Sequence, residues 1–194
     1  MIIDCIRHGT TASNLASRFN SSLDEALTSE EEARLRVIRF DGSSYDQIFV
    51  SPLRRCVQTA ECLGLSEWIT EPRIAERGLG IFAGLTPDEC AFRHGEAFEA
   101  FLAFDADYTI PEGESRGGHL ARVLSWLEQI AKSGAARVLA ITHGGTIDFL
   151  YRMAMAQPIH GGDEIFAGSN ATLSRFEVEY PALKLITFAA SLKS

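Results

Sequence analysis

The chain has 194 residues, enough for one α/β domain with a sizeable core and a small lid, and 46% of them are hydrophobic. Its 26 acidic and 18 basic residues give a formal charge of −8, which argues against nucleic-acid and membrane-surface partners, since either would need a positive face. The longest apolar stretches fall short of the roughly 20 residues that cross a bilayer. Asp4 and Arg7 break the first of these stretches at once, so no secretory leader is read there. Four scattered cysteines (Cys5, Cys56, Cys62 and Cys90) without a CxxC pair point to reduced thiols and a cytoplasmic location.

In chain order, the β-branched run Met1 to Ile6 predicts a buried strand ending at Arg7-His8-Gly9. A short helix is expected over Asn14 to Ser17. Thr28, with Glu31 three residues on, reads as a capping box opening a helix that runs to about Phe40. After the turn at Asp41-Gly42-Ser43-Ser44, Gln47 to Val50 predicts a second strand. Pro52 then leads into a helix from Leu53 to Leu63, and Trp68 to Glu71 is a third strand candidate.

Glu76, Gly78, Gly80 and Gly84 mark a loop with special backbone needs. Pro87 to Phe104 predicts an aromatic-rich helix and Glu114 to Ser133 the longest one. Arg137 to Thr142 is a strand that stops at His143-Gly144-Gly145, with a helix over Thr146 to Met155. Ala171 to Val178 and Leu183 to Ala189 are expected to pair through a turn at Tyr180-Pro181. This order predicts a single α/β domain over 1–194, with a mostly parallel sheet between helical layers and a helical lid over about 86–113.

The chemistry-bearing residues gather at strand ends. Ile3 to Ile6 feeds Arg7-His8-Gly9, Val138 to Thr142 feeds His143-Gly144-Gly145, and Val50-Ser51-Pro52 delivers Arg54 and Arg55. Open α/β sheets bind ligands beyond the carboxyl ends of their strands. Glycines there admit a close backbone approach, and helix N-termini attract anions. Either histidine alone would read as a capping or surface residue. Three strand ends with cations in an acidic chain point instead to a tetrahedral dianion, phosphate being the obvious one.

Several segments carry a resemblance. Arg7-His8-Gly9-Thr10-Thr11 with Asn14 resembles the R-H-G-x-T-x-x-N signature of the histidine phosphatase superfamily, the phosphoglycerate mutase-like group. Asp24 to Thr28 resembles its D-x-P-L-T segment, and Ser51 to Ala60 its S-P-L-x-R-x-x-Q-T-A. Glu76, Gly80 and Gly84 match E-x-x-x-G-x-x-x-G, Pro111 to Ser115 resembles P-G-G-E-S, and Thr142 to Gly145 matches the late H-G-G. The resemblance covers nearly the whole chain in order.

It implies His8 as the nucleophile, with Arg7, Arg55 and His143 clamping phosphoryl oxygens and Asn14 adding a hydrogen bond. Glu76 would be the proton donor. Gly144 is expected at the substrate, as is Phe82 in the glycine loop, while the phenylalanines between 92 and 104 read mainly as core. Arg54 is expected at the surface. No metal and no cofactor is expected, and the partner is a small phosphorylated substrate. The oligomeric state is open, a homodimer included.

Three positions depart from the family pattern: Glu31 for a usual glycine, Asp148 where many relatives carry arginine, and His119 for a common aspartate. Asp148 would change substrate preference or pair with a neighbouring base. His94, His119 and His160 lack metal-ligand spacing and read as solvated or capping residues.

Hydrolysis, mutase-type transfer and non-catalytic binding of a phospho-ligand are the three functions in view. The 26 residues between Gly84 and Pro111 are short beside a mutase insertion and favour hydrolysis, with α-ribazole phosphatase and broad-specificity members as the nearest analogy.

Overall fold

The computed structural model describes residues 1–103, 105–158 and 168–192. A six-stranded sheet forms its centre, in the order β3-β2-β4-β1-β5-β6. The strands are β1 (Ile2–Arg7), β2 (Gln47–Val50), β3 (Ile69–Thr70), β4 (Arg137–Thr142), β5 (Thr172–Glu179) and β6 (Ala182–Ser191). The first four of the six in sheet order run parallel, and β5 and β6 close the sheet antiparallel. This is the expected mostly parallel α/β sheet. The helices are α1 (Ala12–Leu15), α2 (Ser29–Arg36), α3 (Arg54–Cys62), α4 (Pro87–Leu102), α5 (Arg116–Ala131) and α6 (Gly144–Ala154).

Strand residues alternate between two cores, as a pleated sheet covered on both faces requires. Ile3, Cys5, Val138 and Ala140 face Trp126, Leu127 and Ile130 of α5 and Ile147 and Leu150 of α6. Ile6, Val50, Leu139 and Ile141 face Leu35 of α2 and Cys56 and Ala60 of α3. Each fully buried branched side chain contributes about 1.5–3 kcal/mol, so these two layers hold the strand ends that carry the site. A third cluster (Leu79, Phe82, Cys90, Phe98 and Ile110) joins α4 to the glycine loop. All four cysteines are buried and free.

Most element boundaries lie within two or three residues of expectation. α2 stops at Arg36, short of Phe40, because Ile38 and Phe40 leave the helix to pack onto the α2–α3 core. The Thr28 hydroxyl accepts from the Glu31 amide as expected. Glu31 does not complete a capping box: its carboxylate pairs with Arg34. β3 shrinks to two exposed edge residues. α4 bends at His94, whose backbone is non-helical, next to Gly95. Phe104 and His160, on which two expectations fell, lie outside the described residues.

Among the described residues no helix is long and apolar enough to cross a membrane.

Candidate active site

The site follows from strand register. β1 and β4 are parallel neighbours in which Arg7 pairs with Thr142, so His8 and His143 each stand one residue past the same line. The His8 amide donates to the Thr142 carbonyl at 2.9 Å. Neighbouring strands lie about 4.8 Å apart, and the two imidazole centroids are 5.2 Å apart. Val50 of β2 pairs with Ile141, which brings Ser51 and then Arg55 to the same edge. A cleft of about 350 Å3 opens there, lined among others by Arg7, His8, Asn14, Glu76 and Gly144.

His8 is 2% exposed. Its Nδ1 lies 2.7 Å from the Gly9 carbonyl oxygen. A carbonyl can only accept, so Nδ1 carries the proton and Nε2 keeps its lone pair. Burial, Arg55 and Arg7 hold the His8 pKa well below 6.5, which keeps the ring neutral at neutral pH. The Gly9 amide is held by Thr59 Oγ1 at 2.9 Å, and Thr59 donates back to the Arg55 carbonyl.

Arg55 and His143 are completely buried, and neither is among the residues that line the cleft. Arg55 donates to the carbonyls of Leu23 and Ser21. Its Nη2 also faces His143 Nδ1 at 3.2 Å. Guanidinium nitrogens can only donate, so Nδ1 accepts and the ring proton sits on Nε2, 2.7 Å from Ser51 Oγ. This corrects the expected clamp for both residues: His143 holds Arg55, and of the three clamp residues only Arg7 lines the cleft. Arg7 does line the cleft and donates to the Gly168 carbonyl. Burial lowers the pKa of both arginines. Among the described residues neither has a carboxylate partner within 4.0 Å, and the Nε–H of each is buried without an acceptor.

Glu76 reaches the cleft from the glycine loop. Arg122 of α5 anchors its segment by donating to the carbonyls of Arg73, Ala75 and Glu76. The carboxylate accepts from the Arg77 amide at 3.0 Å, and its second oxygen lies 3.5 Å from the Gly145 amide at the start of α6. Asn14 caps α1 through its Oδ1, which accepts from Thr11 and Asn170. Its amide nitrogen has no protein partner among the described residues.

Phe82 is corrected. It is fully buried and packs against Phe98 and Phe101 at 5.5 and 5.4 Å between centroids. Phe101, one turn along the lid helix from Phe98, lines the cleft in its place. A glycine loop with only small neighbours would expose a phenylalanine, whereas the lid covers this one.

Arg54 is exposed, as expected. His119 is corrected too: it is 1% exposed, lines the cleft and stands 3.4 Å from Thr146 Oγ1. Asp148 pairs with Arg116 and Arg152 inside the protein.

Three arginines of the cleft wall, Arg18, Arg77 and Arg116, carried no expectation from the sequence. For Arg77 a signal existed, because it directly follows Glu76.

Paired histidines at twin strand ends, backed by uncompensated arginines and faced by a carboxylate, define a phosphoryl-transfer class of site on an α/β sheet. Residues 3–190 match the histidine phosphatase superfamily (branch 1), and the chain belongs to that family.

It is similar to phosphoglycerate mutase-like protein 4 of Arabidopsis thaliana, 30% identical over 158 residues that cover 77% of this chain and 69% of that protein. It is also similar to the metal-independent phosphoserine phosphatase of the same plant, 31% identical over 156 residues, covering 75% of this chain and 65% of that one. The chain thus spans about two thirds of the length of these relatives. In fold it is similar to a putative α-ribazole-5'-P phosphatase from Escherichia coli, with a TM-score of 0.82 at 18% identity over 100% of both chains.

Proposed function

We propose that the chain is a metal-independent phosphomonoester hydrolase that works through a phosphohistidine on His8 and acts on a small phosphorylated metabolite. The observation that carries this reading is the Nδ1–Gly9 hydrogen bond, which presents a neutral ring with its Nε2 lone pair free. In the first half-reaction the Nε2–P bond forms as the ester P–O bond breaks. The Glu76 carboxyl gives its proton to the leaving oxygen. In the second, water attacks phosphorus, Glu76 takes a proton from it, and the N–P bond breaks to release phosphate.

Arg7 meets the phosphoryl oxygens at the cleft wall, Arg55 adds its buried positive charge to the site, and His143 orients Arg55. The two buried, acceptor-less Nε–H groups support an anion here, because an unmet donor of this kind costs about 1–3 kcal/mol that an oxyanion would recover. The lid between Gly84 and Pro111 is 26 residues, short beside a mutase insertion, which supports water as the acceptor.

The test is turnover of p-nitrophenyl phosphate in EDTA. Wild type turns over, His8→Ala does not, and Glu76→Ala lowers kcat by roughly 10²–10⁴-fold while vanadate affinity stays within a few-fold. Unchanged turnover in His8→Ala overturns the mechanism. Primer-dependent interconversion of phosphoglycerates overturns the choice of hydrolase over mutase.

A further inference from the structure

His119 of α5 lines the cleft, and the phosphoryl chemistry above gives it no part. Its ring packs edge to face on Phe149, 4.9 Å between centroids, and its Nε2 lies 3.4 Å from Thr146 Oγ1. The Thr146 hydroxyl has one proton and directs it to the Ile74 carbonyl at 3.5 Å. A carbonyl can only accept, so Thr146 Oγ1 accepts from His119 and the ring proton sits on Nε2. Nδ1 keeps a lone pair and has no hydrogen-bond partner among the described residues. Burial, then Arg122, Arg77 and Arg116, hold the His119 pKa well below 6.5, so the ring is neutral at neutral pH.

The backbone of α6 shows where that lone pair lies. A Cβ at Gly145 would meet Glu76 Oε1 at 2.5 Å, His119 Cε1 at 2.9 Å and His119 Nδ1 at 3.5 Å. The Nδ1–Cε1 edge of the imidazole and the Glu76 carboxylate therefore border one small space over Gly145, itself a cleft residue. Glu76 is the group assigned to the leaving oxygen, which puts the alcohol carbons bonded to that oxygen within reach of Nδ1.

The character of this edge selects what it can hold. A lone pair repels carboxylate and phosphate oxygens and accepts from O–H or N–H. Arg116 and Arg122 flank His119 one turn to either side on α5, on the same helix face. Arg77, which has no carboxylate partner among the described residues, lines the same cleft. In the step that expels the alcohol the Glu76 carboxyl is in its acid form and adds no negative charge. An ammonium is disfavoured there, and an uncharged hydroxyl fits.

We propose that His119 is a specificity-determining residue whose Nδ1 accepts a hydrogen bond from a hydroxyl on the alcohol part of the substrate, which selects phosphomonoesters of polyhydroxy alcohols. This rests on the hydrolase reading above.

Four esters test it: ethyl, 2-hydroxyethyl, 2-methoxyethyl and 2-aminoethyl phosphate. The hydroxyl and methoxy esters have similar leaving groups, and only the first can donate. Wild type is expected to favour the hydroxyl ester over each of the others by about 10-fold in kcat/KM. His119→Phe, which keeps a ring without a lone pair, lowers the hydroxyl-to-ethyl and hydroxyl-to-methoxy ratios by about that factor. His119→Gln, with its carboxamide oxygen, retains part of both. A merely structural role for His119 lowers all four rates together and leaves the ratios standing.

Dissociation constants of the same esters for His8→Ala, measured by calorimetry, give the preference without turnover and without a change at His119. Failure of wild type to hydrolyse any of the esters overturns the hydrolase reading, while the calorimetric ratios still decide the role of His119. Wild-type ratios near one, a preference for the ammonium ester, or undiminished ratios in His119→Phe overturn the proposal.

Discussion

Gly145 shows how one missing side chain can set the chemistry. A Cβ built there would lie 2.5 Å from Glu76 Oε1 and 2.9 Å from His119 Cε1. Neither contact is with backbone, so Gly145→Ala would relieve the clash by pushing Glu76 aside. In the first turn of α6 alanine gains up to about 1 kcal/mol of helix propensity over glycine, so the fold tolerates the change. The cost falls on positioning of the proposed acid, for which a displacement of about 1 Å can cost 10²-fold. Gly145→Ala is expected to lose about 10²-fold in kcat with its melting temperature nearly unchanged. A variant that keeps full turnover would show that Glu76 does not need this place.

At this scale the places of His8, Arg7, Glu76 and Gly144 at the cleft were legible because they depend on strand ends and local motifs. Phe82 and His119 were not. Their burial is decided by a lid and a helix far along the chain, and no local pattern reports which ring a remote element will cover.

Among the elements, the glycine loop is tied to the base of the lid by backbone. The Ile81 amide donates to the Pro111 carbonyl at 3.1 Å and the Glu114 amide to the Gly78 carbonyl at 2.7 Å. Gly80 sits at φ +48°, and a Cβ there would collide with the Pro111 carbonyl and lie 2.6 Å from the Gly113 amide nitrogen. Backbone cannot swing away as a side chain can. Gly80→Ala is therefore expected to destabilise by at least about 2 kcal/mol, from the left-handed backbone and the overlap together. Urea unfolding should show a lower midpoint at constant m. An unchanged midpoint would mean that the lid base is not held here.

Periodicity and punctuation placed all six helices, and the sheet strands came from β-branched runs. The boundaries moved where tertiary burial outweighed propensity, as where Ile38 and Phe40 leave α2 for the core.

For the molecule as a whole, three imidazoles, His8, His119 and His143, are buried with pKa values well below 6.5, burial being the largest cause in each. Their folded-state pKa lies under the unfolded value, so the unfolded chain binds more protons as pH falls. The stability tied to their neutral forms is complete above the unfolded pKa of about 6.5 and is lost as pH drops through that value toward the folded one. Between pH 7.5 and 5.5 each histidine is expected to cost about 1 kcal/mol of unfolding free energy. Urea unfolding at the two pH values measures the sum, and His119→Gln should remove about a third of the pH dependence. Stability that stays level or rises toward pH 5.5 would mean that these rings are already protonated in the fold.

The sequence by itself determined the parallel α/β plan, the convergence of Arg7, His8 and Glu76, and the family, because strand ends, glycine turns and ordered motifs are local in the chain. Only the tertiary structure decided that His143 turns inward to hold Arg55, that Phe101 replaces Phe82 at the cleft, that Asp148 is consumed by two arginines, and that Arg77 keeps a free charge. Each of these depends on which distant groups share one buried volume. Burial and pairing across the fold set the proton positions and the surplus charge, and no residue carries that information alone.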